Sequence, residues 1–533
     1  EDGSTTKTIP GEGTYTVAPD GTVTFVPEKT FIGTGTGVTV KRVDKNGTPV
    51  TAKYTPTVTP VVPTAEPAET TDIQGKEQTG KPTFTPGNPN VPMDDDTPAT
   101  FEDGSKEKVI PGEGTYTVAP DGTVTFTPEK NFTGKGTGVT VKRVDKNGTP
   151  VTAKYTPTVT PVTPTGTDAV TEDVQGSTQT GKPVFTPGKT TVNGVEKTVE
   201  LSDKPAKLVD PKTGDPVDSV TIEGEGTYEV APDGTVTFTP EKNFTGKGTG
   251  ITVQREDKNG TPVKATYTPV VKPATPTSSD VITTNVQGAT QSGTPTFEGG
   301  KVTVNGEEKT VEIDETVKPT FDDGTTEKKV PGEGTYTIDE NGTVTFTPEK
   351  RFTGQATGVT VKRVDKNGTP VTAKYTPVVV PVTPTSKDTE SEGPKGQPQS
   401  GTPTFEGGKV TINGKEVPVE IDETVKPTFD DGTTEKKVPG EGTYTIDENG
   451  KVTFTPEPDF VGKATGVTVK RVDKNGTPVT ATYTPTVRPD TSFVDKDGNP
   501  LSPTEDGTKP TKDIPGYKIV KTEVDEKGNT RSE

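Results

Sequence analysis

The sequence predicts an all-β chain built from tandem β-sandwich modules of about 100–110 residues, strung one after another as an elongated array. Three observations predict it. The stretch VKRVDKNGTPVTAKYTP at 40–56 returns letter for letter at 141–157 and 361–377, with looser copies at 253–269 and 469–485. The pentapeptide GEGTY recurs with its tyrosine at Tyr15, Tyr116, Tyr228, Tyr336 and Tyr444, so the spacings are 101, 112, 108 and 108 residues. That period is far above the roughly 20–50 residues of solenoids and propellers and suits one independent domain per repeat. Around these markers apolar residues alternate with threonine between Gly-containing turns, and no segment carries the period of an amphipathic helix.

Each element follows from local chemistry. A repeat opens on a variable half. In the later units this half carries a hairpin, TTVNGVEKTVEL at 190–201, KVTVNGEEKTVEI at 301–313 and KVTINGKEVPVEI at 409–421, each with Asn-Gly between alternating strands. The second unit shows no such hairpin after Gly80. TYTVAPDGTVTFTP at 115–128 is the next hairpin, with Tyr116, Val118, Val124 and Phe126 on one face. Its turn places Pro where φ is near −65° and Gly where φ is positive; in the fourth and fifth units DENG does the same job. NFTGKGTGVTVKRV then carries Phe132 into a Gly-rich bend and a strand with Val139 and Val141. DKNG turns that strand back through Val151, Ala153 and Tyr155. Stretches such as YTPTVTPVTPTGTD at 155–168 read as an edge strand running into a semi-stiff, Pro-rich linker. The boundaries expected are a partial repeat over 1–62 (its C-terminal half), repeats over 63–164, 165–276, 277–385 and 386–489, and a truncated C-terminal β segment over 490–533. The segment has its own turn signals but ends before closing a domain on this reading. Opening at Glu1 in mid-repeat, the sequence reads as a piece of a longer chain.

Composition narrows the function. Apolar residues are 24% of the 533, and mean hydropathy is −0.72. So polar a chain borders on disorder, because ordering entropy must be offset by apolar burial. The regular placement of the apolar residues argues for folded modules with lean cores. There is no Cys, His or Trp, and net charge is −19. Disulfides, thiolate metal sites and the commonest general base are therefore excluded. The acidic balance argues against nucleic acid, and no apolar run nears the roughly 20 residues of a membrane span.

Several recurring residues are candidate sites. Asp44-Lys45-Asn46-Gly47 begins like a calcium loop, but Thr48, Pro49 and Val50 lead straight into a strand where a twelve-residue loop would need a distant glutamate. A hairpin turn is the expectation. Asn46-Gly47-Thr48 is formally a glycosylation sequon. Lys41 and Arg42 recur, apart from Gln254-Arg255, and read as a solvated strand face more than as an anion stripe. Glu12 and Glu28 also hold register; lacking a nucleophile or pocket marker beside them, they read as turn residues. A Lys–Asn–acid isopeptide cross-link is a further option for a domain without disulfides. No catalytic, cofactor-binding or metal residue is assigned, and no cofactor is expected.

The unit GEGTYTVAPDGTVTFTPEKNFTGKGTGVTVKRVDKNGTPVTAKYTP, preceded by QGSTQTGKPVFTPG at 175–188, resembles the CshA-type fibril repeat of Gram-positive, especially streptococcal, cell-wall-anchored surface adhesins. The resemblance spans about 490 residues. It implies immunoglobulin-like sandwiches in a secreted protein whose N-terminal region adheres, whose repeats form a stalk, and whose C-terminus is joined covalently to the cell wall. The segment after Pro489 is similar to sequences near such a wall anchor. On this reading the chain is a non-enzymatic stalk serving adhesion and virulence, extracellular and monomeric. Its partners are the adjacent repeats, with host matrix or salivary proteins held by a region outside these residues. The alternative is that the repeats themselves are weak, multivalent binding modules for host glycoproteins or other microbes. An enzyme such as a wall hydrolase is disfavoured, since no unique, non-repeated constellation is present.

Overall fold

Threonine-for-apolar alternation pleats every repeat into two facing sheets, and the computed structural model describes all residues from 1 to 533. In the second repeat one sheet orders Gln78–Gly80, Val124–Pro128, Gly114–Val118 and Glu107–Ile110, all antiparallel. The other orders Thr100–Phe101, Val139–Val144, Pro150–Thr160 and Gly134–Lys135. Between the sheets Phe101, Tyr116, Val124, Phe126, Val141 and Tyr155 are buried, with Phe84 and Phe132 at the margins. Tyr116 packs on Phe126 at 4.5 Å between ring centroids and meets Tyr155 edge-on at 6.5 Å. Such ring pairs add about 0.5–1.5 kcal/mol each beyond area burial, which matters in a core this small. The same cluster returns around Tyr228, Tyr336 and Tyr444.

The chain divides into two compact units, Glu1–Pro273 and Ala274–Glu533. The first holds the opening half-sandwich and two whole sandwiches; the second holds two whole sandwiches and a last four-stranded sheet. In the opening repeat Thr6–Ile9, Gly13–Val17 and Val23–Pro27 form a sheet over buried Tyr15.

One pairing closes each complete repeat. The first long strand, Ala68–Ile73, lies parallel to the last, with Tyr155 opposite Ala68 and Thr160 opposite Ile73. Ala169–Val174, Val281–Val286 and Thr389–Pro394 do the same in the following repeats. Tyr155 Oη lies 2.5 Å from Thr70 Oγ1, which donates to Gln78 Oε1 at 2.6 Å. Gln78 Nε2 in turn donates to the Thr158 carbonyl at 2.9 Å, so a buried polar chain fastens the first strand to the last. The Asn-Gly hairpins form as the sequence predicts. Asn193, Asn305 and Asn413 take φ of 49°, 50° and 50°, and the glycines after them are also positive, as a type I′ turn requires.

The last segment forms a four-stranded sheet of its own. Thr530–Ser532 returns parallel to Asp490–Val494, inside a sheet that also contains Pro500–Asp506 and Thr522–Val524. Two strands only three residues long complete it, too short to carry an alternation signal.

Candidate functional site at the repeat junctions

The recurring glutamate of PGEG is a structural residue of its turn, bonded within its own repeat. Glu113 is buried and accepts from Tyr116 Oη at 2.8 Å, from the Thr137 amide at 2.7 Å and from Thr137 Oγ1 at 2.8 Å. The Gly138 amide donates to Tyr116 Oη at 3.1 Å. Glu225 repeats this with Tyr228 and Thr249. Glu333 and Glu441 hold Thr357 and Thr465, and Glu12 accepts from the Thr36 amide. The network ties the GEGTY turn to the Gly-rich bend. Burial pushes the Tyr336 and Tyr444 phenols up to about 12, with the nearby Glu333 and Glu441 charges adding to it. In Glu113 and Glu225 both carboxylate oxygens accept hydrogen bonds, whereas the second oxygen of Glu12 is buried without a partner. Glu28 stays exposed, and only its backbone is engaged, through its amide to the Glu12 carbonyl at 2.9 Å.

Lys41 and Arg42 are exposed, as a solvated strand face requires, but the matching arginines of the later repeats are not. In the second repeat the Arg143 side chain is 10% exposed, lies 6.0 Å over the Phe84 ring and reaches Asp95 at 2.8 Å. Arg363 and Arg471 meet Glu315 and Glu423 at 2.9 and 3.0 Å, and Arg255 donates to the Ser202 carbonyl. Their long apolar stems cover the sheet edge while the charge finds a partner, a use that lysine-like surface reasoning overlooks. Lys197 makes a 2.8 Å ion pair with Asp72. This joins two successive repeats through a carboxylate and a part-exposed amine.

The DKNG turn is a hairpin with a second use. Asp145 is buried, and its Oδ1 accepts from the Asn147 and Thr149 amides, each at 2.9 Å; buried Asp257, Asp365 and Asp473 do likewise, and exposed Asp44 makes the same two bonds. No group of three or more acidic side chains gathers to hold a metal ion. The following asparagine looks outward to the repeat before it. Asn259 Nδ2 donates to the Gln74 carbonyl at 2.9 Å, and Asn475 Nδ2 to the Gln287 carbonyl at 2.8 Å. Arg351 Nη1 adds a bond to the Gly476 carbonyl at 2.9 Å.

The accepting glutamine is itself pinned. Gln74 Nε2 donates to the Lys130 carbonyl at 2.8 Å, and its Oε1 accepts from the Val162 amide in the linker at 3.3 Å. Gln287 repeats both bonds with Lys350 and Val382, at 2.9 and 3.3 Å. Val162 packs with Ile73, Val192 and Val199, so a linker residue is seated beneath the next repeat's Asn-Gly hairpin. Linkers read from sequence as stiff because of proline are held here by hydrogen bonds and burial. What sequence reasoning missed was the function of Gln74 and Asn259, whose only signal was their recurrence at fixed register.

The surface adhesin CshA repetitive domain matches residues 1–58, 60–159, 161–271, 273–379 and 381–487. The chain belongs to this family. Its last segment matches the SSSPR-51 domain over residues 490–532. The CshA repeats are also similar to the muramidase-released protein of Streptococcus suis, at 31% identity over 216 residues; that match covers 38% of this chain and 17% of the relative's length. Among solved structures, the protocadherin γB4 extracellular domain aligns over 91% of this chain and 85% of its own at 11% identity, with a TM-score of 0.27. Sidekick-1 immunoglobulin domains 1–5 align over 82% and 83% at 13% identity, with a TM-score of 0.20. Family membership places the chain among repeats of bacterial surface adhesins, at the cell surface and outside the cell.

Proposed function

We propose that these CshA repeats form a load-bearing, non-enzymatic stalk that carries an adhesive region away from a cell wall to which the protein is covalently joined. The observation that carries this reading is the parallel pairing of first and last strands in every complete repeat. Past the three-residue strand Thr64–Glu66, or its counterpart in later repeats, tension enters the parallel pair at the start of the first long strand and leaves at the end of the last strand. Because the two run the same way side by side, a pull on both ends slides one along the other. The ladder bonds then share the load, where an antiparallel terminal pair pulled from one end would open bond by bond. Forced unfolding is governed by the unfolding rate, so a sheared ladder is a direct route to mechanical persistence. The polar, acidic surface keeps neighbouring stalks apart. The chain acts as a monomer whose partners are its own adjacent repeats; host matrix or salivary proteins are contacted elsewhere.

The test is competition. Bacteria displaying the full-length protein are allowed to adhere to immobilised salivary or matrix protein in the presence of excess soluble 533-residue chain. A stalk leaves adhesion unchanged. Inhibition that rises with added chain would overturn the reading in favour of repeats that bind the host themselves.

A further inference from the structure

The junction carries a code that does not depend on what the stalk holds. The residue that pins the linker is Gln74 in the second repeat and Gln287 in the fourth; the same position holds Gln175 in the third and Lys395 in the last. The linker position holds Val162, Ala274 and Val382 after the glutamine repeats, all apolar, and Asp490 after the last repeat. A charge enters the linker only where lysine replaces the glutamine. Gln287 accepts the Val382 amide, while Lys395 Nζ lies 3.6 Å from Asp490 Oδ1, with the two side chains 21% and 15% exposed. Beyond the linker the following modules differ to match. Val382 precedes a repeat whose Asn-Gly hairpin spans Gly408–Ile412 and Lys415–Val419, and it is buried together with Ile412. Asp490 opens the four-stranded sheet of the SSSPR-51 domain and takes the Asn529 side chain on its own amide at 3.1 Å.

We propose that this residue pair fixes the seating of the module that follows: glutamine with an apolar linker residue seats another CshA repeat, and lysine with aspartate seats the SSSPR-51 domain. The physics differs on the two sides. The glutamine amide satisfies one donor and one acceptor at once, leaving an apolar linker residue free to fill the niche under a hairpin. An aspartate in that niche would be a buried, unpaired charge, which is strongly unfavourable. Lysine cannot accept from the linker amide, so it holds the linker by charge instead, in a site open enough for an ion pair. The remaining contacts follow the same division. Arg351 reaches the next repeat's turn, whereas Lys527 of the terminal domain donates to the Asp459 carbonyl, at the position equivalent to Arg351.

The experiment uses the whole chain, whose lack of cysteine lets nitroxide labels be placed cleanly. Labels at Glu327→Cys and Glu435→Cys span the junction between the fourth and fifth repeats; labels at Glu435→Cys and Asp497→Cys span the junction to the terminal domain. Pulsed electron–electron resonance is read for Gln287→Leu and, separately, for Lys395→Met. Gln287→Leu should at least double the width of the first distance distribution and leave the second unchanged; Lys395→Met should do the reverse. Hydrogen exchange of the peptide 380–387 should rise at least tenfold in Gln287→Leu, with exchange of 359–364 in the repeat core within twofold of wild type. Unchanged widths would overturn the proposal. So would equal exchange increases across the linker and the core, because they would give Gln287 a role only in the stability of its own repeat.

Discussion

Tyr116 shows how much one residue does in a core built from few large side chains. Its ring fills the sandwich and its hydroxyl is shared between Glu113 and the Gly138 amide. Replacing it with phenylalanine keeps the ring but strands a buried carboxylate oxygen, at a cost of about 1–3 kcal/mol. Hydrogen exchange in the strands of the second repeat should speed accordingly, while the third repeat, with Tyr228 intact, serves as the internal control. The raised phenol values set a pH limit as well. Tyr336 and Tyr444 titrate near 10 when unfolded and about 12 when folded, so folding favours the protonated form. The stability they provide is whole below pH 10 and drains away as pH climbs from 10 toward 12. Circular dichroism should therefore show alkaline unfolding in that window, with the fold unchanged between pH 7 and 9. The inward tyrosine was legible from its alternation with threonine. Its glutamate partner was not, because an acid in a Gly-rich turn has the same letters whether it faces solvent or a hydroxyl.

At the scale of elements, what was legible was local. Hairpins with Asp-Gly or Asn-Gly turns join strands a few residues apart, and their chemistry is written in adjacent letters. The parallel closure was not, since Ala68 and Tyr155 are distant in sequence and AETTDI is too polar to advertise a strand. The burial of Arg143 was hidden for a related reason: it depends on the Phe84 ring brought in from another strand. Glycines record how tight the closure is. A Cβ on Gly80 would sit 2.3 Å from Tyr155 Cε1, and one on Gly401 would sit 2.6 Å from the same atom of Tyr483. Gly80→Ala should therefore overpack the seam between first and last strands and cost about 1–3 kcal/mol, read as earlier chymotryptic cleavage of the second repeat on a temperature ramp.

For the molecule as a whole, the sheared terminal pair makes a prediction about direction. Handles at Glu66→Cys and Lys154→Cys sit at the same end of the parallel pair and peel it, whereas handles at Glu66→Cys and Thr163→Cys sit at opposite ends and slide it. Single-molecule pulling should give a markedly higher unfolding force for the second geometry. Equal forces would remove the mechanical argument while leaving the sandwich intact. Pulled end to end, the chain should lengthen in steps of roughly 350 Å per repeat, from the extended reach of a unit of this size. Closing first strand on last also has a bearing on how such a chain leaves a cell. A chain threading outward from its N-terminal end exposes Ala68–Ile73 long before Pro150–Thr160 emerges to meet it. Each sandwich thus waits open at the pore and shuts only when its final strand is out. The waiting strands differ from repeat to repeat, AETTDI, AVTEDV, VITTNV and TESEGP, while the strands they wait for are nearly the same. Emergence in strict order supplies what the shared letters withhold: each first strand meets its own partner before the neighbour's copy has appeared, and exchange of strands between identical-looking neighbours is avoided by timing.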